Sequence, residues 1–254
     1  MLRERPNAAM GDWVMGVAVD LVSSGGVKRT ELELTRVFNL GSATRDPETA
    51  RAHQDEVKHI GITIAFDVPA PRIYPMSTQV VSTSGEVSVQ TGRSSGEVEI
   101  VLYMADELYV GVGSDHTDRA LEKVSIVWSK QACANVLAPT LWRFADIAAH
   151  WDECRMTSHV GGKLYQDCSV AAFLRPEDML RILSERTLSL PKRDFMVFCG
   201  TIASLDKTMG FGADWAFEMT DPVLGRSIRH AYRVINLMDE LKPGFRVPVS
   251  SIDL

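Results

Sequence analysis

Basic residues are outnumbered in this sequence: 27 Lys and Arg face 33 Asp and Glu across 254 residues, a formal charge of −6. Without a surplus of cations to displace counterions from phosphates, general nucleic-acid binding is not expected. Cysteine is scarce as well. Cys133, Cys154, Cys168 and Cys199 form no C-x-x-C pair, and none lies within two residues of a histidine. Neither a zinc cluster nor a disulfide scaffold is therefore expected, and the four read as buried, reduced thiols. Long hydrophobic runs are missing too: no stretch approaches the ~20 apolar residues of a membrane helix. Asp12 and Asp20 bracket the one N-terminal candidate for a signal segment, so no export signal is read there. Together these absences predict a cytoplasmic protein with neither a membrane nor a nucleic-acid partner.

What is present is an ordinary globular composition, 45% apolar and 24% charged. At roughly 150 residues per domain, the length fits one large domain or a small unit with a larger one. Trp13 to Val22 is β-rich, Ser23-Ser24-Gly25-Gly26 supplies a turn, and Val27 to Phe38 alternates polar and apolar residues. That pattern predicts a hairpin, and residues 1–44 read as an N-terminal hairpin appendage to a core spanning 45–254. Further strands are expected over Ile62–Phe66, Gln79–Ser82, Val87–Gln90, Val98–Met104, Leu108–Gly113 and Ser227–Leu237, punctuated by Pro and Gly. Asp46-Pro47-Glu48 combines a capping side chain, a first-turn proline and an acid at the positive helix end, which predicts a helix from Pro47 to about Ile60. Helices are also expected over Pro139–Cys154 and Pro176–Arg186. On the first of these, Trp142 and Trp151 would occupy opposite faces, one in the core and the other free for a partner subunit. Strands dominate without alternating with helices, so the class is α+β and β-rich rather than doubly wound.

Three carboxylates and two histidines are the residues suited to chemistry. Glu97-Val98-Glu99 on a strand puts two acids on one face, roughly 7 Å apart along the backbone. Asp115, at the end of another expected strand, offers a third. Three carboxylates without Cys suit a hard, oxygen-loving cation, Mg²⁺, Mn²⁺ or Ca²⁺, rather than Zn²⁺; the alternative is a solvated edge-strand face. Glu31-Leu32-Glu33 repeats the spacing without a following Asp and reads as such a wet face. His53 and Glu56 are three apart on the expected helix, so they can touch. A glutamate orienting an imidazole is one way to build a general base, and a surface His–Glu pair is the other reading. His59 is a rival partner for Glu56.

These pieces come in a familiar order: His53-Gln54-Asp55-Glu56, Pro71-Arg72-Ile73-Tyr74-Pro75, Glu97-Val98-Glu99, Asp115-His116-Thr117-Asp118-Arg119, Ser129-Lys130-Gln131, Tyr165-Gln166-Asp167, the helix at Pro176, and Phe198-Cys199-Gly200-Thr201. In that order, from about Arg45 to Thr201, the chain resembles the fumarylacetoacetate hydrolase-like superfamily, and within it a largely uncharacterised branch. The sequence departs from the superfamily pattern where Gln131 follows Lys130 and where Ile202-Ala203-Ser204-Leu205 replaces a Pro-Gly-Val-Gly turn.

The resemblance implies a mixed β-roll or sandwich with peripheral helices, with residues 45–254 as its catalytic core. It implies Glu97, Glu99 and Asp115 as ligands of Mg²⁺ or Mn²⁺ (Ca²⁺ being a further option). His53 and Glu56 become a water-activating dyad joined by Lys130, and Arg119, Gln166 and Thr201 become groups that hold substrate. The implied activity is a metal-dependent hydrolase cleaving a C–C bond in a 2-oxo acid or 1,3-dicarbonyl substrate such as an acylpyruvate. An oxaloacetate-like decarboxylase, an isomerase or a hydratase uses the same platform, and a non-catalytic binding or scaffold protein is the reading from another class. The resemblance also implies a homodimer. Specificity is expected from the loops Leu40–Thr44 and Ser204–Gly212. Asp221 to Arg226 reads as a β-turn or as part of the pocket rim, and His150 as a surface residue or a further site group.

Overall fold

The computed structural model describes residues 16–62 and 68–248. The expected strand Ile62–Phe66 and the stretch before Gly16 thus fall largely outside the described residues. The fold is α+β and strand-rich, as the sequence predicts. A ten-stranded mixed sheet runs, edge to edge along its main path, through Gly26–Leu32, Val17–Ser23, Thr140–Arg143, Leu108–Asp115, Val98–Met104, Phe195–Phe198, Arg36–Gly41 and Arg72–Met76. A five-stranded sheet packs against it, in the order Lys163–Ser169, Arg155–Val160, Asp214–Asp221, Arg226–Asn236 and Glu86–Val89. Four α-helices lie outside: α1 (Pro47–His59), α2 (Arg119–Val124), α3 (Ile126–Ala132) and α4 (Pro176–Arg186). Among the described residues no helix is long and apolar enough to cross a membrane.

The strand Val98–Met104 is covered on both faces. Ile100 and Leu102 join the main core with Met156, Phe217 and Met219 of the smaller sheet, while Val101 and Tyr103 face a second core with Val19, Leu21, Leu141 and Met196. That double burial explains its near-continuous apolar run, since a half-exposed strand would alternate. The expected hairpin is present, and Val17–Ser23 also pairs in parallel with Thr140–Arg143. Glu31 and Glu33 are exposed, as expected of a wet face.

The expected helix Pro139–Cys154 is corrected. Thr140–Arg143 is a strand, followed by two short 3₁₀ segments, Phe144–Asp146 and Ala148–Glu153. Trp142 and Trp151 are both buried, so neither faces a partner. Leu141 and Trp142 are recruited by strand neighbours at Leu21, Val22 and Val110, a tertiary preference that overrides the helix expected from the flanking pattern. The four thiols are free and buried, as expected, and burial pushes Cys133, Cys154 and Cys168 up to about 12.

Candidate metal centre and active site

Antiparallel pairing of Val98–Met104 with Leu108–Asp115 sets Glu99 opposite Gly113, and the Asp115 amide donates to the Glu97 carbonyl at 3.0 Å. Glu97, Glu99 and Asp115 therefore share one face of two adjacent strands. One oxygen from each lies within 4.8 Å of the others, and all three residues are buried. One oxygen of Asp115 is anchored. Asp115 Oδ2 accepts from Asn39 Nδ2 at 2.9 Å and from the Lys130 ammonium, and Asn135 steadies Asn39. Asp115 Oδ1 and Glu99 Oε2 are buried without a hydrogen-bond partner among the described residues. Buried carboxylate oxygens need a partner.

Arg119 Nη2 approaches Glu97 Oε1 at 2.8 Å, and its Nη1 donates to Glu122 at 2.7 Å. Lys130 Nζ lies 3.8 Å from Glu97 Oε2. Burial pushes the Glu97 carboxyl up, but Arg119, Lys130 and His53 outweigh it and hold the group down at about 2. Burial and then the neighbouring Asp115 push Glu99 well above the carboxylate range; burial likewise raises Asp115. For Lys130, burial opposes the charge, but Asp115 and Glu97 prevail and the ammonium stays protonated. Four buried carboxylates (Glu97, Glu99, Asp115, Glu122) against two cations (Arg119, Lys130) leave a formal excess of two negative charges. The all-oxygen donor set, its unpartnered atoms and this charge fit a hard divalent cation.

Helix α1 brings the dyad to the same place. Asp46 caps it, accepting from the amides of Glu48 and Thr49, and the helix runs close to its expected bounds. His53 Nδ1 lies 3.2 Å from Glu56 Oε2, and His53 Nε2 lies 3.5 Å from Glu97 Oε1. One imidazole nitrogen thus meets the glutamate while the other meets the acidic cluster. His59 is not the rival partner, because its Nδ1 contacts the Asp55 carbonyl at 2.6 Å.

Glu56 has a second anchor that sequence reasoning missed. The Ser204 amide and hydroxyl donate to Glu56 Oε1 at 3.2 and 2.6 Å, and Glu56 is nearly fully buried. A separation of 148 residues left no local pattern to find; the only signal was the unusual turn after Thr201. Ser204→Ala is expected to lower kcat about tenfold by freeing Glu56, with one hydrogen bond to a buried carboxylate, worth about 1.5–3 kcal/mol, lost from stability. Steady-state kinetics alongside urea unfolding would check both numbers.

A cavity with about 60 Å³ of room lies between α1 and the carboxylates, lined among others by His53, Gln54, Arg72, Tyr74, Lys130 and Thr201. At ~10–15 Å³ per water on this measure, it holds a few waters or the end of a small ligand. Two of the expected substrate groups are held away from it. Gln166 accepts from the Val98 amide at 3.0 Å and donates to Thr201 Oγ1 at 2.8 Å, while Arg119 is shared among Glu97, Glu122 and Ser95. Thr201 reaches the cavity and donates to the Val98 carbonyl at 2.9 Å. His116 is buried between Tyr232 and Ser94, each at 2.9 Å, and burial pushes it down to about 3. His150 lies against Asp221 at 3.0 Å, a residue that also caps the turn at Val223 and Leu224.

Residues 41–232 match the model of a family described as a protein of unknown function, DUF2848. The chain belongs to this family. The DUF2848 match covers the dyad, the three carboxylates and the Ser204 loop together. Comparison with curated proteins gives no match. Among solved structures, the chain is similar to one described as a fumarylacetoacetate isomerase/hydrolase from Oleispira antarctica (16% identity, 85% of this chain and 99% of that one, TM-score 0.61). It is also similar to 5-carboxymethyl-2-hydroxymuconate delta-isomerase from Mycobacterium smegmatis (14%, 84% and 81%, TM-score 0.56) and to 2-keto-3-deoxyarabinonate dehydratase (14%, 80% and 74%, TM-score 0.52). At such identities the likeness is one of fold. This DUF2848 chain has the fumarylacetoacetate hydrolase-like fold, as the ordered motifs implied, and the described activities of its structural neighbours include isomerisation and dehydration.

Proposed function

We propose that the chain is a divalent-metal-dependent enzyme acting on a 2-oxo acid or 1,3-dicarbonyl compound, and that its reaction is hydrolytic cleavage of the C–C bond beside a carbonyl. One observation carries this reading: His53 presents Nε2 to a three-carboxylate cluster while Glu56 takes Nδ1. A base beside a cation site is the arrangement needed to activate water next to a chelated carbonyl. Glu97, Glu99 and Asp115 would hold Mg²⁺ or Mn²⁺, which supplies Lewis acidity to the substrate oxygens. His53 Nε2 takes a proton from water, and the resulting hydroxide attacks the carbonyl carbon. Glu56 stabilises the imidazolium, and Ser204 fixes Glu56. As the C–C bond breaks, the departing carbon takes a proton back from His53, leaving a carboxylic acid and a shortened ketone or 2-oxo acid. Lys130, held protonated at the cavity wall, offsets negative charge developing on oxygen.

The test is a screen of acylpyruvates and oxaloacetate with purified protein and added Mg²⁺ or Mn²⁺, with product analysis. Release of a carboxylate with pyruvate supports hydrolysis. CO₂ with a one-carbon-shorter acid from oxaloacetate would replace it by decarboxylation. Metal-free protein that binds these acids as well as metal-loaded protein, without turnover, would favour a binding protein.

A further inference from the structure

The cavity is lined by two cationic side chains of opposite circumstance. Lys130 is committed to Asp115 and Glu97. Arg72 forms no ion pair among the described residues, and its Nε is buried without a hydrogen-bond partner. A guanidinium with a desolvated, unpaired donor is costly to keep, and no other group lining this cavity answers it. Glu97, Glu99 and Glu122 also line the cavity, but the first two belong to the candidate cation site and Glu122 is bonded to Arg119.

The backbone that carries Arg72 is held firmly. Arg72 opens the strand Arg72–Met76 and pairs with Gly41 of the neighbouring strand. Just before it, Arg186 of α4 donates to the carbonyls of Pro69 at 3.1 Å and Ala70 at 3.3 Å, and also to that of Pro71. The side chain is therefore presented from a fixed base. Arginine offers a planar fork of donors matched to a carboxylate. With about 60 Å³ of room, the cavity takes the small chelating end of a ligand, and a longer substrate would have to continue beyond it.

We propose that Arg72 is a specificity-determining residue that pairs with a second anionic group, a carboxylate, on the part of the substrate away from the chelated 2-oxo acid end. This inference rests on the reading of the site given above. It goes beyond it by specifying a substrate with two separated acidic groups and by assigning the residue that recognises the outer one.

The experiment is calorimetric titration of the Mn²⁺-loaded full chain with three non-hydrolysable acids: pyruvate, which lacks an outer carboxylate, and 2-oxoglutarate and 2-oxoadipate, which carry one at two distances. Wild type is expected to bind at least one of the dicarboxylates about tenfold or more tighter than pyruvate, as a charge-assisted pair implies. Arg72→Gln is expected to erase that preference while changing pyruvate binding less than about twofold. Arg72→Lys, which keeps the charge without the fork, is expected to keep part of the preference and guards against a misfolded Gln variant. Equal loss of pyruvate and dicarboxylate binding in both variants would overturn the proposal, as would an unchanged preference. If wild type binds pyruvate but no dicarboxylate more tightly, Arg72 loses its role while the site reading stands. If wild type binds Mn²⁺ but none of the acids, the site reading falls and takes this inference with it.

Discussion

Glu99→Gln is expected to abolish tight Mg²⁺ or Mn²⁺ binding and to lower turnover by on the order of 10³, yet to raise the melting temperature of the metal-free protein. The two effects share one origin. Glu99 is buried beside Asp115 and Glu97, and burial followed by those charges pushes its carboxyl well above the ordinary range. A group whose folded value lies above its unfolded one holds its proton longer in the native state. The unfolded chain then binds fewer protons, so stability falls as pH rises past the unfolded value near ~4.3. Gln removes that penalty while keeping the shape. The melting advantage of the variant over wild type, both in chelator, is therefore expected to be small at pH 4 and to widen toward pH 8. Added Mn²⁺ should reverse the order, because only wild type gains ligand stabilisation, about 2.7 kcal/mol at a hundredfold excess over Kd. Thermal melts at the two pH values, with chelator and with Mn²⁺, read all of this. A variant that binds Mn²⁺ like wild type, or that melts lower than wild type in chelator at pH 8, would remove Glu99 from the cation site.

The parts of the site that the sequence disclosed are those joined by short spacing or motif order. His53 and Glu56 meet because they are three apart on a helix with a readable cap, Asp46. Glu97 and Glu99 share a face because strands repeat every two residues. Asp115 needed the order of motifs, since only the register between strands places it beside Glu97. What escaped was set by long-range contact. Asn39 reaches Asp115 across 76 positions, and Ser204 reaches Glu56 across 148. The helices α2 and α3 were also missed, being only six and seven residues long. Their caps were nevertheless written in the chain: Asp118 accepts from the amides of Ala120 and Leu121, and Ser125 from that of Trp128. Short capped helices make little amphipathic pattern and depend on packing to persist. The segment Thr140–Glu153 failed for the opposite reason, because Phe144, Ile147 and Trp151 mimic helical periodicity although the core recruits them from 3₁₀ turns, and Trp142 from a strand.

The net charge of −6 is unevenly placed. The excess of six acids looks like a uniform surface property in the composition, but two units of it are concentrated among buried groups around Glu97, Glu99 and Asp115. Such a cluster is expensive for a chain to fold around unless a cation joins it. Val101 and Tyr103, on the opposite face of the same strand, supply apolar packing instead.

His53→Ala is expected to reduce kcat by about 10²–10⁴-fold while leaving Mn²⁺ affinity within a few fold of wild type. The separation of effects follows from position. His53 stands outside the three-carboxylate cluster, with Nε2 3.5 Å from Glu97 Oε1. Removing it therefore takes away a base without taking away a carboxylate ligand. Its side chain is about 20% exposed at the cavity wall of α1, so truncation leaves a gap that water or a small solute can enter. Added imidazole is accordingly expected to restore part of the lost rate, which a merely structural role would not allow. Glu56→Gln should cost less than His53→Ala, because the base survives and only its orientation and the support of its cation are weakened. Rates of the two variants on the best substrate from the screen, with and without imidazole, and parallel Mn²⁺ titrations would decide the point. Activity retained within tenfold in His53→Ala would exclude His53 as the base, whereas a matching loss of Mn²⁺ would move it into the ligand set and leave water activation to another group.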